Sequence, residues 1–135
     1  MIGILIVTHG HLSEAFMESV AMLVSDTALT RAVTFTTGEG IEDLDRSVRV
    51  AIDDLRSSDG VLALVDLPGG SPARIVGTIL LEHERMELVT GVNLPMLVEV
   101  LMMRNSLSLS DLVDHAVACG AEGIVNVGKL MKSTG

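Results

Sequence analysis

The sequence predicts an α/β domain: a single-domain, doubly wound, mainly parallel sheet of four to five strands with helices on both faces. Three observations carry that prediction. Short runs of β-branched and aliphatic residues lack polar alternation, as strands covered on both faces require. Stretches with apolar residues at helical spacing lie between those runs. Clusters of Gly, Pro, Asp and Asn separate the one kind from the other. The 135 residues form one domain, 1–135, without linker, repeat or low-complexity segment.

Ile4-Leu5-Ile6-Val7 is the first strand, and it stops at Thr8-His9-Gly10-His11. Leu12, Phe16, Val20 and Leu23/Val24 mark a helix. Leu29 to Thr36 is a second strand, broken by Thr37-Gly38-Glu39-Gly40. Ile41, Leu44, Val48, Ala51, Ile52 and Leu55 stripe a second helix, which Ser58-Asp59-Gly60 closes. Val61 to Val65 is a third buried strand ending at Asp66. After the turn cluster Asp66 to Pro72, Ser71 as cap and Pro72 as first residue open a helix to about Glu82.

Met86 to Thr90 forms a fourth, shorter strand. The loop Gly91-Val92-Asn93-Leu94-Pro95 feeds a helix through Met96, Leu97, Val100, Leu101 and Met103. A further helix starts after a Ser110 cap and ends at Gly120. Ile124-Val125-Asn126-Val127 is the candidate for a last, antiparallel edge strand, followed by a frayed tail from Lys129. Strands alternating with helices at this pace imply right-handed βαβ units, with the chemistry beyond the carboxyl ends of the strands. That rule singles out three loops: Thr8 to His11, Asp66 to Ser71 and Gly91 to Pro95.

Composition removes several function classes. Nine Lys plus Arg against eighteen Asp plus Glu give a net charge of −9, which argues against a grip on phosphate backbones. Aromatic residues make up 1%, with no Trp or Tyr, so no stacking platform for single strands exists. A single cysteine, Cys119, forms no internal disulfide and provides no zinc-site spacing. Met1 to Val7 carries no basic region of a signal peptide, and no apolar run approaches the ~20 residues of a membrane span. A cytoplasmic protein is expected. The mean hydropathy of +0.52 is high for that class, so a second subunit is expected to cover some apolar surface.

His9 directly follows strand one and Asp66 directly follows strand three, and such strands are commonly neighbours in doubly wound sheets. A carboxylate bonded to one imidazole nitrogen fixes the tautomer and makes the other nitrogen the nucleophile. Gly69, Gly70 and Ser71 lead into a helix N-terminus, whose backbone N–H groups favour an anion. Together these residues point to transient phosphorylation of histidine. Taken singly, each has a plainer reading. His9 is then a surface or capping residue, Asp66 a turn residue, and Gly69 to Pro72 a strand-to-helix connection. His11, His83 and His115 read as exposed, Cys119 as an inert helix-end residue, and Met96, Met102 and Met103 as core or interface fillers.

Three segments, in order and at the strand ends, resemble the IIA domain of mannose-family sugar phosphotransferase systems along the whole chain. They are Ile4 to Gly10, Leu64 to Pro72, and Gly91 to Glu99. The resemblance implies that His9 accepts a phosphoryl group from the phosphocarrier protein HPr and passes it to a histidine of a IIB subunit or domain. It implies that Asp66 holds Nδ1–H and leaves Nε2 to attack, with Ser71 and nearby N–H groups taking up phosphoryl charge. It also implies transfer without a metal or other cofactor, and a homodimer exchanging a C-terminal strand near Ile124 to Val127. Leu67 and Pro68 depart from the family, which often carries Thr and an aromatic residue there.

The related phosphoryl-donor subunit of dihydroxyacetone kinase shares fold and histidine, and a regulatory relay without sugar transport is a further alternative. A response-regulator reading, with Asp66 phosphorylated, lacks the acidic pair after strand one that would hold Mg²⁺. A nucleotide-binding module lacks the Lys that meets phosphates. A purely structural dimerisation domain leaves the three loops unexplained.

Overall fold

The computed structural model describes residues 1–56 and 58–134. Four strands, β1 (Gly3–His9), β2 (Thr30–Phe35), β3 (Val61–Val65) and β4 (Met86–Thr90), form one sheet in the order β2-β1-β3-β4. All three pairings are parallel. Among the described residues six helices accompany the sheet: α1 (Leu12–Ala21), α2 (Ile41–Asp54), α3 (Ser71–Leu80), α4 (Leu94–Met103), α5 (Leu109–Glu122) and α6 (Val127–Thr134).

Side chains alternate across a strand, so each central strand feeds two cores. Ile4 and Ile6 of β1 and Leu62 and Leu64 of β3 join Val20, Leu97, Val100, Leu112 and Ala116 from α1, α4 and α5. Leu5, Val7, Ala63 and Val65 join Leu44, Val48, Ile75 and Val76 from α2 and α3 on the other face. Both faces are therefore covered, which is why these strands read as unbroken apolar runs. At the amino ends of the strands, Arg104 is buried, and its guanidinium donates to the carbonyls of Ile2, Leu29 and Asp26 at 3.3–3.4 Å. Burial pulls this group's pKa down, opposed by the Asp26 carboxylate.

The expected last strand is corrected. Residues 124–126 lie in no strand or helix, and Val127 opens α6 where an edge strand and a frayed tail were expected. The cause is local: Asn126 Oδ1 accepts the Lys129 N–H at 2.9 Å, a side-chain cap that starts a helix. Three helix ends also move. Ser108, rather than Ser110, caps α5 by accepting the Asp111 N–H, and the helix continues past Gly120 to Glu122. Gly70 takes the cap position of α3, with Ser71 already helical.

Candidate functional site

The direction in which strands are added reverses between β1 and β3: β1 leads to β2 on one side, and β3 continues to β4 on the other. A crevice forms at the carboxyl ends of strands where connections diverge in this way. His9, the last residue of β1, stands there with Asp66, the residue after β3. The buried Thr8 hydroxyl accepts the Ser13 N–H at 2.7 Å, and the Ser13 hydroxyl donates to the Val33 carbonyl at 2.8 Å. These bonds tie the start of α1 to β1 beside His9 and to the neighbouring β2.

Asp66 Oδ2 accepts the His9 backbone N–H at 2.9 Å and lies 2.8 Å from His9 Nδ1. Its other oxygen, Oδ1, accepts the Leu67 N–H at 3.0 Å. Burial pushes the Asp66 carboxyl up, but the bonds from the His9 backbone, the His9 ring and the Leu67 N–H together hold it below its ordinary value. The carboxylate is thus ionised at neutral pH and can only accept, which assigns the proton to Nδ1 and the lone pair to Nε2. The side chains divide the roles by access: His9 is 45% exposed and Asp66 12%.

Gly70 closes the opposite side of the ring. Its φ of 94° and ψ of 176° bring the backbone so near that a Cβ there would lie 3.1 Å from Nε2. Helix α3 starts at the next residue, so the positive end of its dipole lies beside the free nitrogen. Ser71 is half-buried at that start, whereas Gly69 is exposed and a Cβ on it would meet nothing within 4 Å. An open depression of about 430 Å³ adjoins this loop, lined by Gly69, Gly70, Ser71 and the basic Arg74 among others.

The third loop joins the same end of the sheet. The Val92 N–H donates to the Val65 carbonyl at 3.0 Å, and Asn93 caps α4 while its amide donates to the Gly120 carbonyl. Among the described residues, none of its side chains forms a hydrogen bond or ion pair with His9.

Two residues of the neighbourhood escaped the sequence reading. Phe35 packs edge-to-face on the His9 ring, with centroids 6.4 Å apart, because β1 and β2 pair His9 with Phe35. Arg74 lies one turn into α3; its spacing from Gly70 was the available signal.

The remaining histidines divide. His11 is exposed and paired with Glu14, and His83 is exposed, as expected. His115 differs: it is half-buried, because Glu99 and Cys119 flank it. Burial, with the Glu99 and Glu122 carboxylates, pushes the Cys119 thiol up.

Fold and site together define a class: a doubly wound domain that presents a carboxylate-oriented histidine at its topological switch point, beside a helix N-terminus. Residues 3–117 match the family model for the PTS system fructose IIA component. The fructose-specific EIIA component of Bacillus subtilis (strain 168) is 38% identical over 118 residues, covering 87% of this chain and 81% of that protein. The mannose-specific EIIAB component of Escherichia coli (strain K12) is 38% identical over 124 residues, covering 91% of this chain and 38% of that protein. Among solved structures, phosphotransferase system component EIIA from Streptococcus agalactiae superposes with a TM-score of 0.87 at 26% identity, covering 96% of this chain and 99% of that one. The chain belongs to the mannose-type EIIA family of the sugar phosphotransferase system. Its class of activity is therefore that of a phosphotransferase-system component. No helix among the described residues is long and apolar enough to cross a membrane.

Proposed function

We propose that this protein is a phosphocarrier in which His9 takes a phosphoryl group from phospho-HPr and delivers it to a histidine of a IIB partner. One observation carries the reading: the 2.8 Å contact of Nδ1 with Asp66 Oδ2, which leaves Nε2 as the free nitrogen beside Gly70. In the transfer, the Nε2 lone pair forms the new N–P bond as the donor's N–P bond breaks. The donor imidazole takes back that electron pair. Nδ1 keeps its proton, and the positive charge arising on the His9 ring faces the Asp66 carboxylate.

Gly69, Gly70 and Ser71 form the phosphate-binding loop in this reading, with backbone N–H groups of the α3 terminus meeting the phosphoryl oxygens. No metal enters the step, because donor and acceptor are chemically alike and transfer is nearly thermoneutral. Leu67, 54% exposed, and Pro68 present an apolar rim beside the site where the family often has Thr and an aromatic ring. That rim bears on partner choice. The family comparisons favour a sugar-system component over the donor subunit of dihydroxyacetone kinase.

The protein works in the cytoplasm, where this relay of soluble carriers operates, as a homodimer. Exposed Ile124, Val125, Val127, Leu130 and Met131 support the dimer, since they form an apolar stretch at the end of the chain. Light scattering on the purified protein should read twice the chain mass; a monomer at micromolar concentration would refute the dimer.

The carrier reading is tested by intact-protein mass after incubation with phosphoenolpyruvate, enzyme I and HPr. Wild type should gain one phosphoryl group, His9→Ala none, and Asp66→Ala should gain it slowly. Labelling of His9→Ala, or none of wild type, would overturn the assignment.

A further inference from the structure

Away from the strand ends, α4 and α5 bring together three metal-binding atoms of different chemistry. His115 and Cys119 lie one turn apart on α5 and so share a face. Glu99 reaches them from the second turn of α4, which packs against α5 through Leu97, Val100, Leu112 and Ala116. His115 Nε2 lies 3.2 Å from Glu99 Oε2 and 3.5 Å from Cys119 Sγ. The sulfur is also 3.7 Å from Nδ1. One donor atom from each residue lies within 4.8 Å of the other two, and all three residues are half-buried.

We propose that Glu99, His115 and Cys119 bind a borderline-soft divalent transition ion, Zn²⁺ foremost, through one oxygen, one nitrogen and one sulfur, with a fourth position open to water. Two of the three edges between donor atoms fit such an ion, and the third lies within 4.8 Å. At ordinary Zn–O, Zn–N and Zn–S lengths, a tetrahedral site has an N···O edge of about 3.3 Å and an N···S edge of about 3.6 Å. The observed edges, 3.2 and 3.5 Å, are within a tenth of an ångström of these.

Charge fits as well. Carboxylate and thiolate together balance a dication, and binding releases the thiol proton to solvent. The bound ion would also brace the site described above at a distance: Gly120, next to Cys119, accepts the Asn93 amide at 2.9 Å, so clamping α5 to α4 steadies the Gly91–Pro95 loop.

The full chain, freed of metal by chelator dialysis, is titrated with Zn²⁺ alone and, as an optical probe, with Co²⁺. One ion per chain is expected, and Co²⁺ should show a near-ultraviolet thiolate charge-transfer band in wild type that Cys119→Ser loses. Loss of an outer-shell partner already costs about 10–100-fold in affinity, so His115→Gln and Glu99→Gln should each cost at least about tenfold. His9→Ala should bind Zn²⁺ like wild type, which separates this site from the His9–Asp66 pair. The proposal is overturned by the absence of stoichiometric binding below millimolar Zn²⁺, by a Co²⁺ complex without the thiolate band, or by loss of binding in His9→Ala. The cobalt band is read on wild type and does not depend on any variant folding.

Discussion

Gly70→Ala perturbs the proposed phosphoryl site through two separable effects. The backbone at Gly70 has φ 94° and ψ 176°, a region nearly restricted to glycine, where any other residue costs on the order of 1–3 kcal/mol. For a domain of this size, each kcal/mol lowers the melting temperature by roughly 3–5 °C. The added methyl would also sit 3.0 Å from His9 Cε1 and 3.1 Å from Nε2, against the nitrogen that must approach phosphorus. Either the ring or the α3 terminus must shift by several tenths of an ångström. A displacement of about 1 Å in a transfer geometry costs on the order of 10²-fold in rate, so a loss of at least about tenfold is expected.

Rapid-quench phosphorylation by phospho-HPr, alongside thermal melts, separates the two effects. Gly10→Ala is the control for strain alone: its φ is 60°, and a Cβ there meets nothing within 4 Å. It should melt earlier while accepting phosphate far faster than Gly70→Ala. Gly69→Ala, whose Cβ also meets nothing within 4 Å, should change neither quantity much. If Gly70→Ala is phosphorylated at the wild-type rate while folded, Nε2 does not react on the Gly70 side, and the proposed geometry is wrong.

Two further outcomes follow from the side-chain partners. Asp66 has its carboxyl lowered in the folded state, so its ionic contribution to stability is present above the ordinary value of 3.8 and is lost as pH falls through the lower folded value. Wild type should therefore exceed Asp66→Asn in urea midpoint near neutrality, with the gap closing only below about pH 3.8; a gap that closes at pH 5 to 6 would contradict this. Arg104→Met strips the donors from three backbone carbonyls at the amino ends of the strands and should cost about 2–3 kcal/mol by denaturant melts. Because His9 lies at the carboxyl end of β1, the folded variant should keep its phosphorylation rate, and a loss larger than tenfold would show that the two ends of the sheet are coupled.

Much of this architecture was legible in one dimension. The runs Ile4–Val7 and Val61–Val65 announce central strands because burial on both faces removes every polar residue, and both lie in strands of the sheet. Met86–Thr90 is a strand over the same residues that its pattern suggested. Where the reading failed, a short apolar stretch was ambiguous. Ile124 to Val127 is as apolar as a strand, but the Asn126 side chain caps the following turn, and neither edge of the sheet takes the segment up. The half-buried state of His115 was missed for another reason, since its partner Glu99 stands sixteen positions away on a different helix.

The order of strands and helices, and the location of His9 and Asp66 at strand ends, follow from periodicity and turn residues, which act over a few neighbouring positions. The 2.8 Å meeting of Nδ1 and Asp66 does not follow from them, because His9 and Asp66 are 57 residues apart and come together only when β3 pairs with β1. Family resemblance could anticipate that contact; the tertiary structure set its distance. The closeness of Gly70 to Nε2, the burial of Arg104 and the grouping of Glu99, His115 and Cys119 are likewise products of packing. Local sequence limits which backbone states each segment can adopt. Which side chains from distant segments share a volume is decided only when the two cores close on the sheet.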